Sequence, residues 1–209
     1  LVPPGRPVPG IRENYWSPYS GSDANCGNSL MLSLDFLVRD GLLNTSELPT
    51  QSLNKEVKNV DFQAIANINE PLIKKAVRAL FERPESDSLQ QELKRFCYRE
   101  DVKVWLDHAA LFHAISEIPE YRGKDWWDWP FELREREESV MLQISDDYRM
   151  QIEEFKITQF LWQKQWLDLK YYANERGISI LGDMPIYVGG HSADVWANKN
   201  LFQLDINCK

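Results

Sequence analysis

Two short segments hold most of the residues whose types and spacing could do chemistry. Near the start, Ser17-Pro18-Tyr19-Ser20-Gly21-Ser22-Asp23-Ala24-Asn25-Cys26-Gly27-Asn28 sets hydroxyls, an aromatic ring and a carboxylate within one stretch. Near the end, Ile178-Ser179-Ile180-Leu181-Gly182-Asp183 reads as a short buried strand with a carboxylate at its C-terminal end. In a (β/α)8 barrel that end of a strand is where catalytic and binding groups collect. Taken alone, Asp183 could equally cap a turn or pair with an arginine. Trp126, Trp127 and Trp129 could form a sugar platform, but a hydrophobic plug between helices is the simpler reading.

Metal and redox chemistry find little support. His108, His113 and His191 form no recognisable metal cluster. His108 and His113 are five apart in a helical stretch and so fall on different faces, as structural or surface residues. Cys26, Cys97 and Cys208 are odd in number and widely spaced, which fits a reducing compartment better than a disulfide framework. The net charge of -8 argues against a nucleic-acid partner, because phosphate binding needs a basic surface. The apolar runs are too short to span a bilayer. Leu1-Val2-Pro3-Pro4 has neither a charged nor an apolar leader region, and it reads as the middle of a longer polypeptide.

The elements that must position these groups follow from periodicity. Residues 1–29 carry five prolines and turn repeatedly. Ser33 caps a short helix that Gly41 ends. Asn69 is expected to cap the next helix, with Glu70 and Pro71 in its first turn and a stripe from Leu72 to Phe81. Leu89, Leu93, Phe96 and Cys97 give another helical period. Val102, Trp105, Leu106, Ala109 and Phe112 mark a longer one. Residues 119–130 break the pattern, and a charged helical stretch spans about 131–142, with Glu135, Glu137 and Glu138 on a solvated face. A long helix covers about 145–176, with Trp162 and Trp166 in the core and Gly177 just past its end.

Both chemistry-bearing segments resemble the 4-alpha-glucanotransferases (disproportionating enzymes, or amylomaltases) of the α-amylase clan. The second segment does so from Gly182-Asp183-Met184-Pro185-Ile186-Tyr187-Val188 through His191-Ser192-Ala193-Asp194-Val195-Trp196-Ala197-Asn198. Trp105-Leu106-Asp107, Trp127-Asp128-Trp129-Pro130, Gln159-Phe160 and Gln165-Trp166 match in the same order, so the resemblance covers nearly the whole chain. The His-Ser-Ala-Asp-Val-Trp-Ala-Asn-Lys version looks most like the plant plastid enzymes. The stretch Gly5–Tyr15 is longer than the family's usual approach to Ser-Pro-Tyr, and Ile206–Lys209 departs from its usual glycine turn.

The resemblance implies a soluble plastid enzyme that cuts an α-1,4 bond in a maltodextrin and passes the glucan to another sugar. It does so with retention, through a carboxylate nucleophile and a carboxylic acid/base, and without a metal or organic cofactor. It implies substrate-binding roles for Tyr19, Asp183, Ser17 and His191. Tyr19 matches a donor-sugar tyrosine whose ring stacks on a pyranose. Asp183 matches the aspartate of the first barrel signature, which accepts hydrogen bonds from sugar hydroxyls.

The fold expected is a partial (β/α)8 TIM barrel with a large all-helical insertion. Its barrel loop is 1–30, its insertion 31–150, and a barrel helix, strand and following loop occupy 151–209. A whole barrel needs about 250 residues, and the family's nucleophile sits in an Arg-Ile-Asp-His-type segment absent from these 209 residues. The chain alone is therefore expected to be inactive, as part of a larger transferase. The alternative is a non-catalytic glucan-binding polypeptide or a gene-model fragment.

Overall fold

A computed structural model describes residues 21–49, 62–182 and 186–208. The chain divides into two compact units. One is Leu1–Cys26, Phe96–Lys156 and Leu181–Lys209; the other is Gly27–Arg95 and Ile157–Ile180.

In the second unit, Ser33 caps α1 (Leu34–Arg39) by accepting the Phe36 N–H, and Gly41 follows in the left-handed region at φ 68°. Helix α2 runs Phe62–Phe81, so Asn69 is not its cap and Pro71 lies inside it. A proline there removes one helical hydrogen bond. Ala66 is buried before it, and Ile73, Ala76, Val77 and Leu80 after it, so one apolar stripe carries the helix through the defect. Helix α3 (Ser88–Cys97) follows the turn at Pro84.

The first unit is built on α4 (Glu100–Glu117), which buries Val102, Leu106, Ala109, Phe112 and Ile115. Each large side chain buried there contributes about 1.5–3 kcal/mol. The charged stretch after Pro130 is two helices, α5 (Phe131–Arg134) and α6 (Glu138–Asp147), rather than one. Arg136 breaks it at φ 59°. That conformation costs a non-glycine residue about 1–2 kcal/mol. The guanidinium offsets it by donating to Ala197 O at 2.8 Å, meeting His108 Nδ1 at 2.9 Å and lying 4.8 Å from the Trp196 ring centre. Glu135 is not merely solvated either, since Arg134 and Lys199 both pair with it.

Helix α7 (Arg149–Asn174) passes from the first unit into the second. The amides of Gly177 and Ile178 close its end onto Asn174 O and Ala173 O, with Gly177 at φ 71°. Trp162 and Trp166 are only partly buried, not core: their rings stack on each other, 5.8 Å apart and 13° from parallel.

The buried strand expected after Gly177 is not present among the described residues. Residues 178–182 lie in no strand, and Ile178 and Leu181 are 58% and 89% exposed. A strand exists by hydrogen bonding to a neighbour, and no ladder forms among the described residues. The short helix α8 (Ala193–Ala197) is capped by the buried Ser192 and holds the fully buried Trp196.

Candidate functional site

Ser17, Tyr19 and Asp183 lie outside the described residues. The segments that follow each of them are described, and they meet. Ala193 N–H donates to Ser22 O at 2.8 Å, and Ala24 N–H donates to Asp194 Oδ2 at 2.9 Å. A methyl group on Gly189 would sit 3.1 Å from Gly21 O, so the two backbones pass closely. Residues far apart in sequence are thus held side by side by backbone and carboxylate hydrogen bonds.

The second of these segments is pinned from behind by the tryptophan loop. Trp126 Nε1–H donates to Gly190 O at 2.8 Å, and Trp126 N–H donates to His191 Nδ1 at 3.0 Å. The His191 ring lies 5.0 Å from Phe112, 6.2 Å from Trp127 and 6.3 Å from Trp129. Burial holds its pKa below the ordinary histidine value, and Asp125, 3.6 Å away, offsets this in part. His191 is therefore a neutral acceptor at pH 7 that fixes the loop. Trp126 and Trp129 are buried in the core with Trp196, as a plug rather than a platform. His108 and His113 are structural too: one meets Arg136, and the other lies 4.9 Å from the Phe155 ring.

Beside this loop is an open cavity of about 580 Å³ lined mainly by apolar atoms. Its walls include Trp127, Tyr187, Val188, Phe202 and Leu204. Tyr187 is 88% exposed. The volume falls within the range that takes a small organic ligand.

Three features escaped the sequence reading. Burial, with repulsion from the Asp194 carboxylate, pushes Asp23 up to about 6. Burial also raises Asp194, while the Ala24 N–H opposes the rise. In the other unit, Gln159 and Gln165 are buried clips. Each accepts a backbone N–H through Oε1 at 2.8 Å, from Gly27 and Ser33 respectively, and donates through Nε2 to the same residue's carbonyl. Their presence in the matching motifs was a signal that could have marked them; their partners could not be read from spacing.

The profile of a family described as 4-alpha-glucanotransferase matches residues 2–208. The chain belongs to the 4-alpha-glucanotransferase family. It is 45% identical over 208 residues to the chloroplastic/amyloplastic 4-alpha-glucanotransferase of Oryza sativa subsp. japonica, covering 99% of this chain and 33% of that protein. With the 4-alpha-glucanotransferase of Streptococcus pneumoniae serotype 4 the identity is 34%, over 92% of this chain and 37% of the relative. Among solved structures, the amylomaltase from Streptococcus agalactiae in complex with acarbose aligns with a TM-score of 0.80 at 30% identity, covering 92% of this chain and 37% of that one. The chain thus spans about a third of the length of these 4-alpha-glucanotransferases.

Proposed function

We propose that the chain supplies the donor-sugar side of a 4-alpha-glucanotransferase acting on maltodextrins in starch metabolism within the plastid. Tyr19 stacks on a glucose ring, Ser17 and Asp183 bond its hydroxyls, and His191 shapes the adjoining wall. The nucleophile and acid/base that a retaining transfer needs are supplied by polypeptide other than these 209 residues. The reading includes the partial (β/α)8 barrel, with 31–150 as its helical insertion. The carrying observation is the meeting of the two segments: residues 22–24 next to the Ser17–Tyr19 motif are hydrogen-bonded to Ala193 and Asp194, just beyond the Asp183 motif.

Maltotriose disproportionation tests it. A full-length transferase carrying this segment releases glucose and longer maltodextrins, and the 209-residue chain alone does not. Turnover by the isolated chain at an enzyme's usual rate, about 1 per second or faster, would show that the bond chemistry resides within these residues and contradict the assignment.

A further inference from the structure

We propose that Asp194 is a positioning residue: its carboxylate latches residues 22–26, the strap that follows the Ser17–Tyr19 motif in sequence, to α8. The role in sugar binding rests on the function proposed above; the latch itself does not.

One side of the latch is a fixed base. Trp196 and Val195 of α8 are buried, Trp196 Nε1–H donates to Leu133 O at 3.0 Å, and Arg136 holds Ala197 O. Ser192 Oγ accepts the Val195 N–H as the cap. That leaves the Asp194 carboxylate to reach across to Ala24 N–H at 2.9 Å. The other side is a strap folded on itself: Asp23 Oδ1 accepts the Asn25 N–H at 2.7 Å, and Cys26 also bonds to Asp23. Cys26 packs against the core cluster below.

A charge-assisted bond from a backbone amide is among the stronger hydrogen bonds available, and among the described residues one further backbone bond, Ala193 N–H to Ser22 O, joins the strap to α8. The Asp194 carboxylate also repels the nearby Asp23 carboxyl. The latch is thus a balance that loss of one acceptor tips. Ser22 is three residues from Tyr19 in sequence, and the role in sugar binding follows from that connectivity.

The test uses Cys26 as a reporter in the 209-residue chain. A neutral maleimide is applied at pH 7, and labelling of Cys26 and Cys97 is timed by peptide mass spectrometry. Asp194→Ala is expected to raise the Cys26 rate at least about tenfold, the effect of losing a hydrogen bond to a charged group. Asp194→Asn, whose amide oxygen still accepts the Ala24 N–H through a neutral bond, stays within about fivefold of wild type and well below the alanine variant. Cys97 is unchanged in both.

An unchanged Cys26 rate in Asp194→Ala overturns the latch. So does an asparagine variant as reactive as the alanine one, or a parallel rise at Cys97, which would report general loosening. No sugar is present, so failure here counts against the latch and not against the transferase reading. In a full-length enzyme carrying this segment, Asp194→Ala raises KM for maltotriose and Asp194→Asn restores it. A KM within about twofold of wild type, worth only ~0.4 kcal/mol, overturns the positioning role.

Discussion

The Nδ1 atom of His191 accepts the backbone N–H of Trp126 at 3.0 Å, so an imidazole from the segment after Asp183 satisfies a donor in the tryptophan loop. His191→Ala removes that acceptor and the ring contacts with Phe112, Trp127 and Trp129. An unsatisfied buried donor costs about 1–3 kcal/mol, and the lost ring contacts add to it. Urea unfolding is expected to show a loss of about 2–4 kcal/mol. The native pKa lies below the unfolded value, about 6.5. The neutral form's contribution is therefore complete above that value and falls as pH drops through the window below it. A variant within about 0.5 kcal/mol of wild type, the range of an ordinary surface change, would show that the bond carries nothing.

Asp23 gives a pH dependence of the opposite sense. Burial, with repulsion from the Asp194 carboxylate, pushes its carboxyl up to about 6, against an ordinary value of about 3.9. Between these values the native state holds a proton that the unfolded chain has lost, so this group's contribution falls as pH rises and is lowest above about 6. Asp23→Asn keeps an acceptor for the Asn25 N–H but cannot ionise. The Tm of the variant relative to wild type should therefore climb from pH 4 to pH 6 and level off. A difference that is flat with pH would contradict the buried carboxylate pair.

Gly27 has no room for a side chain. A methyl there would lie 1.9 Å from Trp162 Cδ2, while Gln159 grips the same residue's amide and carbonyl. Gly27→Ala must displace the Trp162–Trp166 stack or break the clip, and overpacking of this kind costs about 1–3 kcal/mol. A drop in the urea midpoint with an unchanged m value is the expected result. An unaltered midpoint would mean that the ring moves freely.

Much of the helical scaffold was legible because capping and period act locally. Ser33, Gly41 and Gly177 stand where the structure uses them. Pro71 misled because a local breaker was outweighed by buried residues on both sides of it. Arg136 escaped notice because its left-handed backbone is stabilised by Ala197, sixty-one residues away. The apolar run at 178–182 carries the composition of a strand, but pairing decides, and composition cannot supply a partner. The site was legible only as motifs. That Asp194 would bond Ala24, 170 residues earlier, is a property of the folded chain.

Asp183 is the residue on which the glucan reading depends most. Asp183→Asn keeps the shape and removes the charge, so it separates sugar binding from packing. The deciding measurement is glucose release from maltotriose by a full-length transferase carrying this segment, wild type against Asp183→Asn, with melting curves alongside. The predicted result is a fall in kcat/KM of about a hundredfold or more, some 2.7 kcal/mol of lost transition-state stabilisation, with the melt unchanged. Kinetics within about threefold of wild type, a difference of only ~0.6 kcal/mol, would make Asp183 a bystander and contradict the account.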